Sequence, residues 1–203
     1  MQVDSSDLYR SHFKNTRQHN LRLVGVDNGA FPKGRKANQS TLLVAVLLEG
    51  SRIVSIKAGR ITVDGTDATR VLGSLVRRVR YDAILLSGIS FGGFNLVDIK
   101  ALSRATRRPV IAITGGRPDN AAVLSALQKH FSDWKERWRI VENAGRLYSC
   151  KPMPKEPKLY FEVRGASVTA AKRIISSSAA ISRLPEPVRV AGILAKGLTP
   201  LGG

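Results

Sequence analysis

The chain has 203 residues, 43% of them hydrophobic and 24% charged, and its 33 Lys/Arg against 15 Asp/Glu give a formal net charge of +18. That length suits one core, and the longest apolar run, residues 42–48, is far short of the roughly 20 residues that cross a bilayer. The one cysteine, Cys150, excludes an internal disulfide framework and a cysteine-built zinc site, and residues 1–20 carry His12, Lys14, Arg17 and His19 with no apolar leader, so a cytoplasmic protein without a membrane partner is expected.

Residues 1–20 are polar and without sustained period, which reads as an N-terminal arm before a single domain over 21–200. Three strand-like runs follow at 21–27, 40–48 and 51–58, the last two joined by Glu49-Gly50 as a hairpin, so an antiparallel meander is expected. After a short apolar run at 61–63, Asp64-Gly65-Thr66-Asp67 makes a turn and opens a helix in which Val71, Leu72, Leu75, Val76 and Val79 recur at helical spacing. Residues 83–86 read as a buried strand, 87–93 as a loop, and Asn95 as the N-cap of a helix near 96–106. Residues 109–113 form the next strand, and Gly115-Gly116-Arg117-Pro118-Asp119 leads into a helix ending near Phe131. Residues 138–149 read as a hairpin around Asn143-Ala144-Gly145, and 151–158, with three prolines, as a surface connection. A strand at 159–163 and helices near 167–180 and 186–196 close the pattern. Strand–helix–strand–helix order implies parallel strands with helices packed on the sheet. A meander followed by such units is the order of a ribonuclease-H-like α/β core, a mixed sheet with flanking helices.

The charge is clustered. Residues 10–36 carry seven Arg/Lys against one Asp, and residues 70–108 carry eight against two, a net +6 in each segment. Such density attracts phosphates and points to nucleic acid, DNA or RNA, as partner; the bland alternative is a solvated basic surface. The basic loop with Lys33, Arg35 and Lys36 belongs to the first cluster. Within this background stands Asp27, ending the apolar run Leu21–Val26, where a carboxylate is costly unless paired, hydrogen-bonded or metal-bound. Asp64 and Asp67 stand three positions apart at a helix start, where Asp67 could equally cap the helix and Asp64-Gly65 be an ordinary turn pair. Divalent-metal hydrolysis of phosphodiesters needs several hard oxygen ligands around one or two cations, and Asp27 with Asp64 or Asp67 supplies a minimum. The loop Ser87-Gly88-Ile89-Ser90-Phe91-Gly92-Gly93-Phe94-Asn95 suits either close packing or a phosphate. Gly115-Gly116-Arg117 is a similar, weaker candidate, so Ser87, Ser90, Asn95 and Arg117 are candidate nucleic-acid contacts. Trp134 and Trp138, one helical turn apart, read as packing residues.

Val24-Gly25-Val26-Asp27-Asn28-Gly29, Val63-Asp64-Gly65-Thr66-Asp67-Ala68-Thr69 and Ser87-Gly88-Ile89-Ser90-Phe91-Gly92-Gly93-Phe94-Asn95-Leu96-Val97-Asp98, with Pro185-Glu186-Pro187-Val188-Arg189-Val190-Ala191, resemble the largely archaeal endonuclease dU family, a relative of endonuclease V. The resemblance spans about residues 21–200. It implies a ribonuclease-H-like fold, Mg²⁺ or Mn²⁺ as cofactor, and cleavage of a DNA backbone near a deaminated base such as uracil. On that resemblance Asp27 matches the first-strand aspartate of endonuclease V and Asp67 falls near its helix-start glutamate, making Asp27 and Asp67 the implied metal ligands and catalytic acids, with Asp64 as accessory. The chain departs from the pattern at three places. Ser87 stands before Gly88 where an aspartate is expected. Thr114-Gly115-Gly116-Arg117 replaces a lysine-bearing loop, and the helix from Ser167 lacks an acid.

Three readings follow. The first is a divergent metal-dependent endonuclease. The second is a nucleic-acid-binding protein on the same scaffold that has lost cleavage. The third is a phosphatase or nucleotide hydrolase that uses the glycine loops as a phosphate cradle. Ser87 favours the second, since a hydroxyl cannot supply the charge that a carboxylate gives a cation, whereas retention of Asp27, Asp64 and Asp67 together favours the first.

Overall fold

The computed structural model describes residues 21–31 and 39–199; the expected arm over 1–20 and the basic residues Lys33, Arg35 and Lys36 lie outside the described residues. The elements in chain order are β1 (Arg22–Asn28), β2 (Ser40–Glu49), β3 (Arg52–Thr62), α1 (Ala68–Val76), β4 (Ala83–Leu86), β5 (Ser90–Phe91), β6 (Asn95–Leu96), α2 (Ile99–Thr106), β7 (Val110–Thr114), α3 (Asn120–His130), α4 (Trp134–Ala144), β8 (Tyr148–Cys150), β9 (Leu159–Arg164), α5 (Val168–Ser178) and α6 (Glu186–Leu198).

Seven strands form one sheet in the order β3-β2-β1-β4-β7-β9-β8. The β1-β2-β3 meander is antiparallel, while β1, β4 and β7 run parallel. Strand β9 then returns antiparallel to β7, with β8 at the edge. This is the expected ribonuclease-H-like arrangement. The central strands have helices on both faces, which is why β4 reads as an unbroken apolar run, fully buried along its length.

Alternation along β1 decides what faces what. Val24 and Val26 join Leu43, Ile61, Ala68 and Leu72 in the core beneath α1 and α2. The intervening residues point to the opposite face, where Ala191 and Ala195 of α6 pack on Val44, Val46 and Leu48 of β2. There α6 lies directly on the β1 backbone: a Cβ on Gly25 would run into the main chain of Pro187 and Val188, so only glycine fits at that crossing. A third cluster, built on Leu85, Ile111, Phe161 and Ile175, fills the space under α5.

Four expectations need correction. The separate run at 61–63 is the end of β3, which runs unbroken to Thr62. The loop after β4 contains a small β5–β6 hairpin, and Asn95 lies in it; the N-cap of α2 is Asp98, whose carboxylate accepts from the amides of Lys100 and Ala101. The expected hairpin over 138–149 is helix α4 followed by β8. Asn143-Ala144-Gly145 resembles a turn because Gly145 stops the helix with φ near 88°, a C-terminal glycine stop and not a hairpin tip.

Candidate functional site

Parallel strands β1, β4 and β7 deliver their carboxyl ends to one edge of the sheet, and the crevice outside such ends is where α/β folds hold ligands. Asp27 and Ser87 meet there. The Ser87 amide continues the ladder by donating to the Val26 carbonyl at 3.1 Å, which turns its side chain to the Asp27 face. Ser87 Oγ then donates to Asp27 Oδ1 at 2.5 Å, a charge-assisted contact at the short end for such pairs. The Asn28 amide donates to the same oxygen at 2.9 Å. Behind the carboxylate is α6: a Cβ on Gly192 would stand 2.6 Å from Asp27 Oδ2. Asp27 is therefore half-buried between a hydroxyl and a glycine.

Asp64 and Asp67 reach this edge from the other face, the one covered by α1. Asp67 Oδ1 accepts from Asn95 Nδ2 at 2.6 Å and from the Thr62 amide at 3.2 Å, and its Oδ2 accepts from Thr62 Oγ1 at 3.2 Å. Asp64 Oδ1 accepts from the Phe94 amide at 2.9 Å. Both acids thus tie the β3–α1 turn to the loop after β4. Asp67 precedes α1 but makes no side-chain bond to its first turn; the Ala68 amide is capped from across the fold by Asn95 Oδ1 at 2.9 Å. Asn95, a candidate nucleic-acid contact, is wholly buried, and Thr62, Asp67 and Ala68 take up its amide group. Its work is structural, because no polynucleotide reaches a side chain so enclosed. Ser90 is exposed but bends back to donate to the Gly93 carbonyl. Arg117 is exposed in the loop after β7, at the same edge as Asp27.

Two residues that sequence reasoning did not single out complete the site. Arg137 of α4 is almost entirely buried; its Nη1 donates to the carbonyls of Gly65 and Phe94 at 2.9 and 2.7 Å, and its Nε bonds Asp133 at 2.9 Å. Its guanidinium also stacks 4.3 Å above the Phe131 ring. That one cation locks the acid-bearing β3–α1 turn and the loop after β4 to a helix distant in sequence, and nothing local marks it beyond a place between Trp134 and Trp138. Arg183, in the α5–α6 connection, donates to the Lys158 carbonyl at 2.9 Å and lies over Gly115.

Mg²⁺ and Mn²⁺ require hard oxygen ligands converging on one point. Around Asp27 the neighbours are a serine hydroxyl, a main-chain amide and a glycine, whereas the Asp67 carboxylate is held by Thr62 and Asn95. No group of three or more His, Cys, Asp or Glu side chains among the described residues is arranged to hold a metal ion. A multi-carboxylate centre does not fit these residues.

The model of a family described as endonuclease dU matches residues 19–199. The chain belongs to the endonuclease dU family. A Thermococcus gammatolerans protein is 37% identical over 183 residues, covering 88% of this chain and 92% of its own. Among solved structures, an Archaeoglobus fulgidus protein of unknown function superposes with a TM-score of 0.77 at 28% identity, over 89% of this chain and 99% of that one. Ciona intestinalis endonuclease V, solved with a 24mer DNA containing an inosine, gives 0.52 at 13% identity over 84% and 82% of the two chains. At that distance the likeness establishes a common fold between the endonuclease dU chain and endonuclease V. Among the described residues, no helix is long and apolar enough to cross a membrane.

Proposed function

We propose that this protein binds nucleic acid along the carboxyl edge of β1, β4 and β7, with DNA containing deaminated bases as its substrate class and without the metal centre of an efficient nuclease. The observation that carries the reading is the Ser87–Asp27 contact. A hydroxyl donating at 2.5 Å stands where a second carboxylate would be needed, so Asp27 is held by a hydrogen bond in place of shared charge. The net charge of +18 supports polyanion binding, and the fold shared with an endonuclease V solved with DNA supports nucleic acid as the partner. A protein neutralising about 6 phosphates should show a log–log salt slope near −5 on B-DNA, at about 0.9 per contact.

A second reading, a Mg²⁺- or Mn²⁺-dependent endonuclease, is favoured by Asp27 itself, half-exposed at the end of β1 beneath α6. One experiment separates the two. Uracil- and hypoxanthine-containing duplexes are incubated with the protein and with Asp27→Asn, in Mg²⁺, Mn²⁺ or EDTA, while binding is followed in parallel. The binding reading expects retained affinity in both proteins and no metal-dependent cutting. Robust cutting that Asp27→Asn abolishes establishes the nuclease instead.

A further inference from the structure

We infer that Gly115 and Gly116, together with Arg183, form a bed for a phosphodiester of the bound polynucleotide beside Asp27; this rests on the nucleic-acid reading above. Glycine at these two positions has no internal explanation. Neither has the positive φ that favours glycine, in contrast to Gly88, Gly92 and Gly93 of the preceding loop. A Cβ on Gly116 would meet nothing within 4 Å, and one on Gly115 would touch only the flexible tip of Arg183, at 3.3 Å. Both residues are exposed. A pair of glycines demanded neither by backbone conformation nor by packing fits a surface that another molecule's backbone approaches closely.

The surroundings select a phosphate as that molecule's contacting group. Thr114 Oγ1 donates to the Gly116 carbonyl at 2.8 Å, fixing the loop. Arg183 is anchored through Nη1 on the Lys158 carbonyl, with Nη2 the atom nearest Gly115. Arg117 follows the glycines on the exposed side. The nearby acid, Asp119, is taken up by capping α3 through the Ala122 amide at 3.0 Å. An anchored guanidinium beside bare main chain suits a phosphate oxygen, and Arg is the residue suited to that geometry. The bed is continuous with the acid site. Gly88, next to the Ser87 that bonds Asp27, lies so near Thr114 that a Cβ there would sit 3.6 Å from its Cγ2.

The test measures fluorescence anisotropy of a labelled single-stranded and a labelled duplex oligonucleotide, from 50 to 300 mM salt, with the full chain and with Gly116→Val and Arg183→Gln. Gly116→Val should leave thermal stability unchanged, since its side chain enters open space, yet weaken binding about tenfold. Arg183→Gln should make the salt slope shallower by about 0.9, one phosphate contact on B-DNA. Wild-type affinity and slope in both variants would overturn the bed while leaving the nucleic-acid reading intact. No binding by the unmodified chain at 50 mM salt overturns both. Competition by a deoxynucleoside monophosphate at equal phosphate concentration would assign the bed to small phosphate esters and overturn its polynucleotide assignment.

Discussion

Asn95→Ala removes the clip that joins the acid-bearing β3–α1 turn to the loop after β4. The wild-type side chain donates to the Thr62 carbonyl at 2.8 Å and to Asp67 at 2.6 Å, and accepts from the Ala68 amide at 2.9 Å, all in a fully buried position. Alanine leaves the first amide of α1 without its cap, worth about 1 kcal/mol, and strands at least one further buried polar group at about 1–3 kcal/mol. The loss should be about 3 kcal/mol, or roughly 6–12 °C in Tm for a domain of this size. Asn95→Asp sharpens the test. It keeps the acceptor for Ala68 but sets a second carboxylate against Asp67, so the pair should bind a proton more tightly folded than unfolded. Its destabilisation is then full above the raised folded pKa and is relieved as pH falls through that value toward the ordinary carboxylate range. Thermal unfolding followed by circular dichroism between pH 4.5 and 7.5 reads both effects. A Tm within 2 °C of wild type for Asn95→Ala, or a pH-independent deficit for Asn95→Asp, would refute the assignment of Asn95 as the clip.

Glu162, on β9 opposite Ala112, is pushed from an ordinary 4.5 up to about 7 by burial. A carboxyl with a raised folded pKa favours the native state at low pH, and that contribution is lost as pH rises from about 4.5 through about 7. Glu162→Gln should therefore flatten this loss and gain of order 2 kcal/mol at pH 8, read by denaturant titration at both ends of the range. Gly25→Ala drives a methyl into the main chain of Pro187 and Val188, so α6 must lift from β1; a cost of about 3 kcal/mol or more is expected in the same titration, and tolerance would show that the helix is not seated there. Ser87→Asp places a second carboxylate against Asp27. Calorimetry should then detect Mn²⁺ binding stronger than that of the wild type, and unchanged heats would mean that this edge cannot be rebuilt into a cation site.

How far the sequence was legible depended on whether a signal was local. The apolar runs of β1, β2, β4 and β7 announced buried strands, and their order announced the mixed sheet, because burial on both faces leaves no polar alternation. Asp27 stood out for the same reason, as a lone carboxylate ending such a run. The two glycine loops differ in a way that composition does not show. Gly88, Gly92 and Gly93 serve backbone conformation, whereas Gly115 and Gly116 have no such need, a difference that lies in the backbone φ angles. Asn95 looked like a cap and is one, but for α1 and from 27 residues away in the chain. Arg137 had no local signal at all, since its partners Gly65 and Phe94 lie 72 and 43 positions distant. Side chains that bridge loops are invisible to periodicity, which registers only neighbours on one face of one element.

Hydrogen–deuterium exchange of the full chain with and without a uracil-containing oligonucleotide tests the location of binding most directly. Protection should appear in peptides covering 86–94, 113–119 and the α5–α6 connection at 179–185, which border the Asp27 edge. Protection confined to the opposite end of the sheet, around the β2–β3 hairpin at 47–54, would contradict the site.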